Sequence, residues 1–199
     1  MKLGPKYKIA RRVGAPIFEK TQTQKYALRA ERKSKTAKFS RPKSEFGSQL
    51  NEKQKARLIY GLSEKQFSKY VKEALQKKSA KSTQLIFEYL ETRIDNIIYR
   101  LGLSSTRRGA RQMVSHGHIT VNGRRTTAPS QRLFIGDTLS IRAGSLNKGL
   151  FKQNENKNNT PAWLDFNFDK KTAVMTGMPV LIPTENMFDL NAVVEFYSR

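Results

Sequence analysis

Arg107, Arg108 and Arg111 stand at positions i, i+1 and i+4 of one short stretch, with no carboxylate between them. At 100° per residue on a helix they share an arc with Gln112 and Ser115, while Ala110, Met113 and Val114 fall on a separate side. Like charges so placed repel one another unless an anion sits between them. A guanidinium presents paired, planar donors that fit a phosphate or a carboxylate, so the chemistry of this face is anion recognition. His116 and His118 have the H-x-H spacing of a metal pair, but no Cys or third carboxylate stands nearby, and the residues favour hydrogen bonding or an RNA contact. No acid neighbours these histidines to orient a hydrolytic base. Neither G-x-G-x-x-G nor G-K-[ST] occurs, which leaves nucleotide-dependent catalysis without support. No catalytic residue, cofactor or metal is expected.

The elements that must carry these residues follow from local pattern. Thr106 is placed to cap a helix from Arg107 to His116, which Gly117 stops. His118 to Val121 alternate like a half-buried strand, and Asn122-Gly123 is the strongest two-residue hairpin signal, with Arg124 and Arg125 directly after it. Leu133, Ile135, Leu139 and Ile141 suggest further short strands around a Gly136-Asp137 turn. Trp163 to Phe168 alternate and Ala173 to Met175 pair with them in a second hairpin. Upstream, Leu50 to Tyr60 form a helix ended by Gly61. Ser63, with Gln66 three residues on, opens another bearing Phe67, Tyr70, Val71 and Leu75. A third runs from Ser82, its stripe of Leu85, Ile86, Tyr89, Leu90, Ile94, Ile97, Ile98 and Leu101 continuous up to Gly102.

Residues 1–45, punctuated by Gly4, Pro5, Gly14, Pro16 and Pro42, read as an extended arm with a short helical possibility around Ile9 to Phe18. It is either ordered against a nucleic acid or a solubilising tail. Residues 144–160 read as a loop, and the period of 190–197 fits helix and strand alike. The fold class is α+β. It comprises a basic arm (1–45), a helical domain (46–91, completed by 182–199) and a second domain (92–181) of helices on a small, mainly antiparallel sheet.

Composition narrows the partner. The 199 residues carry 38 Lys and Arg against 16 Asp and Glu, a net charge of +22. The excess is +11 in residues 1–45 and +8 in 92–150, whereas 151–199 are nearly neutral. Two dense blocks favour a polyphosphate, bound with steep salt dependence. A membrane surface would ask for a basic helix with a broad apolar face bearing Trp or Phe, which the first block lacks. There is no Cys, so disulfides and cysteine-ligated zinc are absent. No apolar run approaches a membrane span, and the first residues lack a signal peptide's hydrophobic stretch. The expectation is a soluble, cytoplasmic protein.

The stretch Leu-Glu-Thr-Arg-Ile-Asp-Asn-Ile-Ile-Tyr-Arg-Leu-Gly-Leu from Leu90, continued by Ser-Ser-Thr-Arg-Arg-Gly-Ala-Arg-Gln-Met-Val-Ser-His-Gly-His-Ile-Thr-Val-Asn-Gly to Gly123, closely resembles the RNA-binding domain named after ribosomal small-subunit protein four. That module is also appended to RNA-modifying enzymes and a heat-shock protein. The flanks extend the resemblance to the bacterial-type ribosomal family itself: Leu3-Gly-Pro-Lys, Arg11-Arg12, Leu50 to Gly61, Pro161-Ala-Trp-Leu and Val194-Glu-Phe-Tyr-Ser-Arg199 occur in order. The resemblance implies a structural constituent of the ribosome that binds small-subunit rRNA at a multi-helix junction of the 5′ domain early in assembly, near proteins five and three and the mRNA entry path. It also implies Arg93, Arg100, Arg107, Arg108, Arg111, Gln112, Ser115, His116, His118, Asn122, Arg124 and Arg125 as RNA-contact positions, with Lys6, Arg11 and Arg12 from the arm and Arg41 and Lys43 toward the messenger. Arg93 and Arg100 are equally suited to a structural ion pair, and Asn122 to its turn. The zinc-binding cysteine cluster and the Pro-Gly-Gln-His-Gly stretch common in the family are missing here, and the Asn-rich loop has no counterpart. The alternatives are an RNA-modifying enzyme, which would need a catalytic domain larger than the roughly 90 residues before the module, and a ribosome-associated chaperone.

Overall fold

The computed structural model describes residues 3–36, 44–77, 81–146, 160–182 and 186–198. In chain order its helices are α1 (Lys6–Val13), α2 (Gln24–Thr36), α3 (Glu45–Ile59), α4 (Glu64–Gln76), α5 (Ser82–Glu91), α6 (Ile94–Arg100) and α7 (Arg107–Ser115). There follow strands β1 (Ile119–Val121), β2 (Arg124–Thr126), β3 (Thr138–Ile141), β4 (Leu164–Asn167) and β5 (Thr172–Met175), and helix α8 (Leu190–Ser198). The fold is α+β. The chain forms two compact units, residues 1–86 with 182–199 and residues 87–181, and the division falls inside α5.

In the 87–181 unit the strands form one antiparallel sheet in the order β2-β1-β3-β5-β4. Register puts apolar residues on one face: Ile119 lies opposite Ile141, Val121 opposite Leu139, Leu139 opposite Ala173, and Ala173 opposite Phe166. Against that face pack Ile94, Ile97, Ile98 and Leu101 of the α6 region and Ala110, Met113 and Val114 of α7. The alternate residues Thr120 and Ser140 lie on the other face, where their hydroxyl oxygens are 2.6 Å apart. The expected strand at Leu133 to Ile135 does not form. Leu133 is buried, but Phe134 and Ile135 are exposed in a turn whose Asp137 accepts from the Phe134 N–H at 2.8 Å.

The expected continuous helix from Ser82 to Leu101 is two helices. Arg93 is extended (φ −67°, ψ 138°) and bridges to Arg132. On either side of it the Leu133 N–H donates to Thr92 O at 2.9 Å and the Ile94 N–H to Gln131 O at 3.0 Å. These non-local bonds replace helical ones, so the apolar stripe runs through a break that periodicity alone does not reveal.

In the other unit the described residues of the expected extended arm are largely helical. Pro5 sits at the N-cap of α1, where a missing N–H costs nothing, and Gly14 closes the helix at φ 75° with its N–H on Ala10 O at 2.9 Å. The punctuation therefore bounds a helix instead of forbidding one. Ala10, Val13, Ile17, Phe18 and Leu58 share a small core. Helix α3 begins well before the expected Leu50, because Ser44 Oγ accepts from the Gly47 N–H at 3.2 Å. Ser63 Oγ caps α4 by accepting from the Gln66 N–H at 3.3 Å. Residues 190–198 are a helix, started by Asp189 Oδ1 accepting from the Asn191 N–H at 2.8 Å.

Helix α8 brings aromatic residues onto a buried lysine. Lys53 Nζ donates to Glu64 Oε1 at 2.7 Å and lies 4.4 Å from the centre of the Phe196 ring. The Tyr197 hydroxyl donates to the same Glu64 oxygen at 3.1 Å, and Arg57 Nε is 3.3 Å from its partner oxygen. Burial pushes the Glu64 carboxyl up, but the Lys53 and Tyr197 bonds and the Arg57 charge outweigh it and leave it below its ordinary value. Burial, and then the Glu64 charge, push the Tyr197 hydroxyl above the usual phenol range, so it stays a donor. A carboxyl lowered on folding stabilises above its unfolded pKa, and the effect is lost as pH falls through the folded one. Glu64→Gln is expected to cost about 0.5–1 kcal/mol at neutral pH, a value kept small because the side chain is half exposed. The difference should vanish in acid, once the pH has fallen through that lowered value. Urea midpoints followed by helical circular dichroism at neutral and acid pH check it.

Candidate nucleic-acid interface

The cationic element is built around the start of α7. Thr106 Oγ1 accepts from the Gly109 N–H at 2.9 Å, and Ser104 Oγ donates to Thr106 O at 3.0 Å. A Cβ on residue 109 would lie 2.6 Å from Ser104 Oγ, so glycine lets the first turn close on the preceding loop. With Ala110, Met113 and Val114 buried, Arg108, Gln112, Ser115 and His116 face solvent along α7, and Arg107 and Arg111 are half-buried at its flank. The first turn carries two arginines and no acid, the arrangement least favoured by the helix dipole.

The repulsion expected among these arginines is relieved in part from within the protein, at Arg111 by a carboxylate and at Arg107 by an amide. Asp95, 2% exposed, accepts Arg93 Nε at 2.9 Å on Oδ1 and Arg93 Nη2 at 2.8 Å on Oδ2. The same Oδ2 accepts Arg111 Nε at 2.8 Å and lies 2.7 Å from Arg111 Nη2. Glu91, also buried, accepts Arg100 Nε and Nη2, both at 2.8 Å, and the Asn96 amide at 2.9 Å. Asn96 Oδ1 in turn accepts Arg107 Nε at 2.7 Å, and the Arg107 guanidinium lies 4.3 Å from the centre of the Tyr99 ring. Three guanidiniums thus bond directly to two carboxylates, and a fourth, Arg107, is linked to Glu91 through Asn96. The carboxylates come from α5 and α6, outside the helix whose spacing raised the question.

Each residue named from sequence now has a place. Arg93 is 2% exposed and belongs to the ion pair with Asp95. Arg100 joins the Glu91 pair with about a third of its side chain exposed. Arg124 and Arg125 are exposed on β2, and Arg125 lies across Gly117 with Nη2 donating to His116 O at 3.4 Å. His118 Nδ1 is 3.0 Å from Ser145 Oγ, and the two histidine rings lie 6.0 Å apart. Asn122 takes the left-handed conformation of its turn (φ 49°), donates to Asp137 Oδ1 and accepts from the Thr138 N–H, both at 2.8 Å. In the other unit Lys6 is 3.9 Å from Glu19, Arg11 Nε donates to Tyr7 O at 3.2 Å, and Arg11 and Arg12 are exposed on α1. Arg41, Lys43 and most of the Asn-rich loop lie outside the described residues. Among the described residues no three His, Asp or Glu side chains are grouped to hold a metal ion.

Sequence reasoning passed over Glu91, Asp95 and Asn96, and the exposed Arg142 beside His118. The alternation Glu91, Arg93, Asp95, with Arg100 close behind, was the available signal. It was hidden because the two acids lie in a stripe that otherwise reads as core.

Residues 2–91 match the family described as Ribosomal protein S4/S9 N-terminal domain, and residues 92–139 match the S4 domain. Small ribosomal subunit protein uS4 of Amoebophilus asiaticus is 37% identical over 99% of this chain and 98% of its own length. The chain belongs to the uS4 family. The uS4 proteins of Polaromonas sp. and Fusobacterium nucleatum are 38% and 46% identical, over 99% and 78% of this chain and 98% and 80% of their own lengths. The β1–β2 turn of this chain requires, at position 122, a residue that tolerates positive φ. Asn122→Ala should cost about 1–2 kcal/mol through left-handed strain and two lost bonds. Asn122→Gly, which loses the bonds without the strain, should fall between, as read by urea denaturation.

Proposed function

We propose that this chain is a structural constituent of the small ribosomal subunit, not an enzyme, and that it holds small-subunit rRNA on the α7 and β1–β2 surface. The observation that carries this is that Arg108, Arg124 and Arg125 are exposed with no acidic partner among the described residues. They stand beside guanidiniums that are already fixed in direction. Arg108, Arg111 and Arg107 present charge at the start of α7, Gln112, Ser115 and His116 continue along it, and Arg125 extends the strip across Gly117. Guanidinium forks spaced along a rigid element suit the phosphates of a folded RNA, whose recognition is by shape more than by base sequence.

Arg93 is left out of this surface because it is buried, and His118 and Asn122 support it by holding the loops around it. Arg100 contributes charge from the Glu91 pair. Lys6, Arg11 and Arg12 on α1 form a second contact in the other unit, favoured by the concentration of charge in the first 45 residues. The RNA target is a multi-helix junction of the 5′ domain, bound early in assembly. The neighbours are proteins five and three near the mRNA entry path, and the ribosome is the cytoplasmic one. These finer assignments rest on a resemblance that covers nearly the whole chain.

The triple substitution Arg108→Ala, Arg124→Ala, Arg125→Ala should weaken binding to a 5′-domain rRNA fragment about tenfold or more. The slope of log K against log salt should fall by about one per lost phosphate contact. Filter binding across a salt series measures both, and an unchanged slope would count against this surface.

A further inference from the structure

The buried carboxylates do more than neutralise. Arg93 is already satisfied by Asp95, with Nε on one carboxylate oxygen and Nη2 on the other. That pair would be complete without a third member. Yet Asp95 Oδ2 also takes Arg111 Nε and Nη2, at 2.8 and 2.7 Å, and Arg111 reaches it from a different helix while keeping about 30% of its side chain exposed. The Glu91 limb repeats the logic. Asn96 Nδ2 donates both to Glu91 O at 3.1 Å and to Glu91 Oε2 at 2.9 Å, which orients the amide and aims Asn96 Oδ1 at Arg107 Nε. Tyr99 stacks on the same guanidinium. In both limbs a partly exposed arginine of α7 is gripped at Nε by a group that is itself buried and doubly fixed.

We infer that Asp95 is a positioning residue for RNA binding: backed by Arg93, it holds the Arg111 guanidinium in its binding direction before the RNA arrives, as Glu91 through Asn96 holds Arg107. An arginine tethered at Nε has surrendered most of its rotamer freedom on folding, so that loss is not charged to association. The inference rests on the rRNA-binding reading above and adds to it the claim that acidic residues strengthen the grip on a polyanion.

The test is a double-substitution cycle on the full chain with a 5′-domain rRNA fragment as probe. Asp95→Asn should raise Kd about three- to tenfold in the wild-type background, and less than about twofold in an Arg111→Ala background, where nothing is left to position. Asp95→Asn alone leaves Arg93 buried without its charge partner, so the fold is protected in a second variant, Arg93→Met with Asp95→Asn, which buries no unpaired charge. That variant should stay folded and show the same loss. A readout that a merely structural role would not move is the Arg111 Nε–H resonance of the free protein, which should be slow to exchange in wild type and fast in both variants. Equal loss of affinity with and without Arg111, or an Arg111 Nε–H that stays slow to exchange in the variants, overturns the inference while leaving rRNA binding intact. Failure of the wild-type chain to bind the fragment overturns the rRNA reading and the inference with it.

Discussion

Gathering several guanidiniums on one small surface costs repulsion, and the 87–181 unit is organised around removing that cost without removing the charge. Glu91 and Asp95 sit where α5 gives way to α6; Arg93, Arg100 and Arg111 bond to them directly, and Arg107 is linked to Glu91 through Asn96. Two negative charges among four positive ones leave the cluster cationic. Each carboxylate is enclosed, so its attraction for a guanidinium is screened less than it would be in water. The break at Thr92 and Arg93 belongs to the same solution: a continuous helix could not turn Arg93 inward to back Asp95.

Much of this fold is legible in the chain, because local rules and tertiary packing agree there. Thr106 and Ser63 cap as their types suggest, Asn122-Gly123 turns the hairpin, and Ala110, Met113 and Val114 mark the buried side of α7. The misses share a cause. Pro5 and Gly14 look like breakers until one sees that they stand at the two ends of a helix. The stripe from Leu85 to Leu101 looks continuous because a break made by bonds to Thr92, Gln131 and Leu133 leaves no trace in spacing. Residues 190–198 were ambiguous because an apolar run too short for a clear period is settled by its cap and by what it packs on.

The interface divides along the same line. Arg108, Arg124 and Arg125 can be named from type and position alone, since they are exposed and have no acidic partner among the described residues. Arg93, Arg100 and Arg111 could not be sorted that way. Whether a guanidinium serves the fold, a ligand or both depends on where distant carboxylates end up, and resemblance to a family names the position without saying which. Glu91 and Asp95 were overlooked because acids in a basic protein are easily taken for solvated residues, whereas here they are among the most deeply enclosed side chains.

The two units differ in how they draw on the chain. Residues 87–181 are contiguous, so everything this unit needs has been translated by the time its last strand emerges. The other unit is discontinuous: α8 supplies Phe196 over Lys53 and Tyr197 to Glu64, and these come after the whole intervening unit. Long sequence separation makes such closure entropically slow. During synthesis, then, the unit bearing α7 can mature on the nascent chain while α3 and α4 still wait for their last partner. Vectorial production would thus complete the contiguous half of the growing polypeptide before its discontinuous half.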